Sequence, residues 1–157
     1  MAIQKQEFYE GAALHQLLRS CRRAQVTYAA PLFVFDDRVQ VHLKHSTGIR
    51  SPWGFTFKSD EQKLLYKRAN ELPLVIGLVC GADGIAALPF EGFAMIAALR
   101  NAAVRISCFR KHRKHFEVSG PDGIVPGKIP PSNWQQLLNN PARKTDEASR
   151  SGSQPSE

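Results

Sequence analysis

The chain has 157 residues, 43% of them hydrophobic and 22% charged, with a formal net charge of +7. That is the size of one ordinary domain, with enough apolar material to build a core without a metal or a disulfide. Three scattered cysteines with no Cys-x-x-Cys pair argue against a disulfide framework and fit a reducing compartment, while a pI of about 9.6 favours polyanionic partners.

The opening MAIQKQEFYEG is too polar for a signal peptide. The apolar stretches further on fall well short of the ~20 residues that a spanning helix requires. The expectation is a cytoplasmic protein with no membrane partner.

Residues 5–23 carry Leu14, Leu17, Leu18 and Cys21 at the spacing of one buried helical stripe, with Arg19, Arg22 and Arg23 at the last turn. Residues 25–35 are rich in Val, Tyr, Phe and Leu and predict a strand interrupted by Pro31. Asp36, Asp37 and Arg38 form a polar turn. Val39, Val41 and Leu43 then alternate with Gln40, His42 and Lys44, the period of a strand with one apolar face. Thr47 to Pro52 breaks that strand, and Trp53 to Phe57 predicts the next, giving a three-stranded meander.

Ser59 as a cap with Gln62 three residues on predicts a helix start, and Leu64, Leu65, Ala69 and Leu72 supply its buried stripe up to Pro73. The run LVIGLVC at 74–80 predicts a strand covered on both faces. Gly81-Ala82-Asp83-Gly84 reads as a hairpin turn into a strand at 85–88, not as a phosphate loop, because no Gly-Lys-Ser/Thr follows it. A helix at 90–100 and a hairpin of 104–110 with 115–119 complete the order α-β-β-β-α-β-β-α-β-β, and Trp134, Leu137 and Leu138 suggest a short closing helix after it. The fold class is α+β, a mixed sheet flanked by helices. Residues 1–138 form the single globular domain, and 139–157, with almost nothing apolar, predict a disordered polar tail.

Two segments concentrate functional chemistry. Lys44, Ser46, Thr47 and Arg50 stand at the exit of the alternating strand, combining charge with short hydrogen-bond donors as a phosphate or carboxylate requires. The stretch RISCFRKHRKH at 105–115 contains no acid, and its tip, Arg110, Lys111, Arg113 and Lys114, has the charge to track a phosphate backbone. Cys108, His112 and His115 have a metal-like spacing, but structural zinc sites close four ligands, and no second cysteine pair accompanies these three. Cys80 and Cys108 lie in apolar runs that keep a thiol protonated.

An opening helix, meandering strands, a helix and a buried strand resemble the core of the restriction-endonuclease-like PD-(D/E)XK nucleases. The resemblance implies a magnesium-dependent nuclease in which Asp36 or Asp37 matches the first acid, Lys44 the lysine, and Glu7 or Glu10 the helical acid, with Glu10 and Asp37 holding the metal. His42 stands where that group has its second acid, and imidazole is a poor magnesium ligand, so the motif is degenerate. The Lys-His-Ser-Thr, Ser-Pro-Trp-x-Phe-Thr-Phe and Cys-Gly-x-Asp-Gly stretches also look like those of an uncharacterised family of small bacterial proteins, which implies no activity. The expectation is a nucleic-acid-associated, nuclease-like protein whose partner is DNA or RNA. The alternative is a non-catalytic interaction module that binds a protein or a small anion around Arg50, Ser51 and Trp53.

Overall fold

The computed structural model describes residues 2–19, 25–111 and 114–139. Cys21, Arg22, Arg23, His112, Arg113 and the expected tail from 140 onward lie outside the described residues, while Asn139 closes the last helix.

Helix α1 (Lys5–Arg19) buries Ala13 and Leu17. Strands β1 (Val26–Ala29) and β2 (Leu32–Phe35) are an antiparallel pair joined through Ala30-Pro31, so the stretch expected as one interrupted strand is a hairpin. A tight turn at Asp36-Asp37 leads into β3 (Val39–Ser46). Both aspartates have positive φ, which Asp tolerates better than most side chains. Strand β4 (Trp53–Phe57) and helix α2 (Ser59–Ala69) then carry the chain across to β5 (Leu74–Cys80), which runs parallel to β3. A parallel pair needs such a crossover.

Strand β6 (Gly84–Pro89) returns antiparallel to β5, and α3 (Phe90–Ile96) follows directly, burying Phe90, Phe93 and Ile96. The chain ends in β7 (Val104–Arg110), β8 (Phe116–Gly120), the short β9 (Gly123–Ile124) and α4 (Asn133–Asn139).

The α+β class holds, but the strands form two sheets. One has the order β1-β2-β3-β5-β6 and the other β4-β7-β8-β9. The expected meander therefore breaks after β3, because β4 pairs with β7, Trp53 opposite Cys108 and Phe57 opposite Val104.

Alternation sorts the core into two parts. Val39, Val41 and Leu43 of β3, Val75 and Val79 of β5, and Ile85 and Ala87 of β6 pack with Ala13, Leu17, Trp134 and Leu138 of α1 and α4. Leu74, Ile76, Leu78 and Cys80 of β5 point the other way, into a larger cluster with Phe55, Phe57, Phe93, Ile106 and Phe116. Each of those aromatics contributes about 1.5–3 kcal/mol by leaving water. The five-stranded sheet is thus covered on both faces, and the second sheet keeps one face open.

Candidate functional site

Gln40 and His42, the first two polar residues of β3, do not face solvent. They are 2% and 4% exposed, on the central strand of the larger sheet. Gln40 Nε2 donates to the carbonyls of Arg68 at 2.8 Å and Leu72 at 3.0 Å, satisfying the C-terminal end of α2. At the other end of that helix, Glu61 Oε2 lies 2.7 Å from His42 Nε2 and 3.0 Å from Lys44 Nζ. Glu61 Oε1 also takes the backbone N–H of Lys58 at 3.2 Å. The cap is therefore Lys58 with Glu61, one residue earlier than the expected Ser59 with Gln62. Gln62 turns inward and donates to the Phe57 and Ala102 carbonyls, both at 2.9 Å.

The alternating Gln40, His42 and Lys44 are a polar strip on which α2 docks along its length. Burial pushes the Glu61 carboxyl up, but the bonds from His42 and Lys44 outweigh it, so its pKa lies below the ordinary 4.5. His42 Nδ1 is buried without a partner among the described residues. Lys44 also stands over the Phe57 ring, 4.9 Å from its centroid. The Lys44 ammonium is thus committed to the protein itself. Trp53, expected as an interface anchor, is 3% exposed and donates through Nε1 to the Gly48 carbonyl at 2.8 Å.

The acids proposed to join Lys44 are elsewhere. Asp36 and Asp37 occupy the turn before β3, with Asp36 Oδ1 accepting the Gln25 N–H at 2.7 Å. Lys44 lies five strand positions beyond Val39, roughly 16 Å further along. Glu10 and Glu7 belong to α1, on the opposite face of the sheet. Glu10 acts there on His45, whose ring stacks on Tyr9 with centroids 4.8 Å apart. Burial, followed by the Lys44 charge, lowers the His45 pKa from 6.5. Asp36, Asp37, Glu10 and Lys44 are not brought together, so these residues do not assemble the magnesium site that the resemblance implies. Among the described residues no group of three or more His, Cys, Asp or Glu side chains is placed to hold a metal ion.

The structure instead brings together the two basic segments that are distant in sequence. The 47–52 loop is anchored by Trp53 to Gly48, and by the Gly81 N–H donating to the Ser46 carbonyl at 2.8 Å. Gly81 has a φ of +53°, and a side chain there would run into the Gly48 carbonyl, so the β5–β6 turn can sit this close only with glycine. The loop's third anchor is Ser51 Oγ, which donates to the Arg110 carbonyl at 2.9 Å. Arg50 and Lys111 are the sequence neighbours of that bonded pair, and both are exposed.

Arg110 itself is used internally. Its guanidinium donates to Asp83 Oδ2 at 2.7 Å and to the Lys114 carbonyl at 2.6 Å, and it lies over the Phe116 ring at 4.7 Å. It fastens the β7–β8 tip to the β5–β6 turn. Thr47, Arg50, Lys111 and Lys114 remain exposed around this junction, and among the described residues no carboxylate pairs with Arg50, Lys111 or Lys114. Ser46 is half-buried at the base of the loop.

Two further contacts lay beyond the sequence reading, which had Cys80 and Cys108 only as buried, protonated thiols. Glu61 is Lys44's partner, and its only sequence signal was an acid in the first turn of a helix. Cys80 and Cys108, both fully buried, bring their sulfurs to 3.7 Å between the two sheets. The bond to Cys108, together with burial, pushes the Cys80 thiol pKa far up, so it stays protonated. No helix among the described residues is long and apolar enough to cross a membrane. No protein-family model, curated protein or solved structure matches the chain.

Proposed function

We propose that this chain is a cytoplasmic, nucleic-acid-associated domain that grips a phosphate backbone with the rim formed by Thr47, Arg50, Lys111 and Lys114. The observation that carries the reading is the Ser51 to Arg110 hydrogen bond at 2.9 Å, which ties together two acid-free segments whose Arg50, Lys111 and Lys114 are exposed with no carboxylate partner among the described residues. A net charge of +7 adds long-range attraction for a polyanion. Arg113 belongs to the same tip in sequence and lies outside the described residues.

The proposal is one of binding. Asp36 and Asp37 stand apart from Lys44, and we derive no hydrolytic step from them. Phosphate contacts of this kind release counterions, so affinity falls steeply with salt. A duplex and a single strand titrated across a salt series test it. Absence of binding at low salt contradicts the reading.

One observation favours a second reading, a non-catalytic module for a protein partner or a small anion. Ile49 is 94% exposed at the tip of the same loop, beside Arg50. An isolated exposed apolar side chain is ordinary on a soluble surface, so the cations carry the first reading further. Under the second reading an Ile49→Ser variant loses a salt-insensitive partner while retaining its affinity for nucleic acid.

A further inference from the structure

We infer that the open face of the second sheet is a platform for single-stranded nucleic acid, with Phe109 stacking on a base and Arg105 beside it taking a phosphate. The inference rests on the binding reading above and names the class of nucleic acid.

Inward residues of β7, Val104, Ile106 and Cys108, fill the core, so Arg105, Ser107 and Phe109 point outward. On β4, Gly54 and Thr56 share that outer face, with Gly54 opposite Ser107 and Thr56 opposite Arg105. Arg105, Thr56 and Phe109 are exposed, Phe109 by 40%. Phe109 presents an exposed ring on the same face as Arg105, and a base offers that ring a matching π-face.

Arg105 leans over β4. A Cβ on Gly54 would collide with its guanidinium, so the Arg105 side chain lies across the β4 backbone where only glycine leaves room. Leaning toward Gly54 brings the guanidinium level with Ser107, one outward position from Phe109 and roughly 7 Å along the strand. Among the described residues no carboxylate pairs with Arg105.

Charge complementarity selects the occupant. Arg105 lies on the face, and the exposed Lys58 and Lys111 stand just past the ends of β4 and β7. Its one acid, Glu117 opposite Phe109, is matched by Lys128 Nζ at 3.8 Å. Lys111, directly after β7, also belongs to the rim and is the residue the two surfaces share. A duplex keeps its bases stacked on one another and can use only the rim.

The experiment compares the full chain with Phe109→Leu, Phe109→Tyr and Gly54→Ala on oligo-dT, oligo-U and a mixed-sequence duplex of equal length. Phe109→Leu is expected to weaken single-strand binding by about five- to hundredfold, with duplex affinity and the single-strand salt slope unchanged, because no charge is removed. Phe109→Tyr keeps a ring and is expected to restore affinity. Gly54→Ala dislodges the guanidinium and is expected to lower single-strand affinity with little effect on the fold, since only the far end of a flexible side chain must move. A preference for oligo-dT or for oligo-U assigns the single strand to DNA or RNA. Unchanged single-strand binding by Phe109→Leu overturns the inference and leaves the rim reading standing. Equal loss on duplex and single strand also overturns it. A parent chain that binds no nucleic acid at all removes both.

Discussion

Glu61, in the first turn of α2, sits 2.7 Å from His42 Nε2 on the central strand, and that contact fixes the end of the helix against the sheet. The same carboxylate holds Lys44, so one acid neutralises the charged end of the β3 polar strip. Replacing it by glutamine keeps the shape and removes the charge. Glu61→Gln is expected to lower stability by about 1–2 kcal/mol in urea unfolding. The loss should depend on pH. Glu61 has a depressed folded pKa, so its contribution is fully present above 4.5 and disappears as pH falls through the lower folded value. Parent and variant are therefore expected to differ most near neutrality and to converge in acid.

Helix and strand periods were legible wherever a stripe met a core, as with Leu17 of the first helix or Val39, Val41 and Leu43 of the central strand. What each polar residue faced was not legible. Gln40, His42 and Lys44 carry the same alternating signature whether they look at water or at the backbone of a docked helix, and only the burial of His42 distinguishes the two. Trp53, Phe55 and Phe57 read correctly as a strand, but alternation does not say which sheet a strand joins. The pairing with β7, some fifty residues on, is a long-range choice. Of the expected anion set, Thr47 and Arg50 stay exposed, while Lys44 is taken by Glu61, whose sequence position showed only a helix start.

Arg110 and its neighbours separate stability from binding. The Arg110 side chain is 13% exposed and ties Asp83 to the hairpin tip, whereas Lys111 is exposed with no carboxylate partner among the described residues. Arg110→Ala is expected to destabilise the chain by about 1 kcal/mol, through the lost bonds to Asp83 and the Lys114 carbonyl and the lost packing on Phe116. Lys111→Ala is expected to leave unfolding within about 0.5 kcal/mol of the parent and to weaken nucleic-acid binding. Thermal or urea unfolding beside a binding titration checks both.

The facing thiols give a chemical readout of the layer between the sheets. Cys80 and Cys108 are fully buried with their sulfurs 3.7 Å apart, and the Cys80 thiol is held protonated. In a Cys21→Ser background, both are expected to resist an aqueous thiol reagent at pH 8 in the folded chain and to react fully once denaturant is added. Rapid labelling without denaturant contradicts this packing.

The most direct test of the binding rim is the salt dependence of duplex affinity for the parent chain against a triple variant, Arg50→Gln with Lys111→Gln and Lys114→Gln. Each lost phosphate contact removes about 0.9 from the slope of log affinity against log salt on a duplex. The rim predicts tight binding by the parent at low salt, and a slope shallower by about 2 to 3 in the variant with its unfolding curve unchanged. A variant with the parent's affinity and slope, or a parent that fails to bind at low salt, contradicts it.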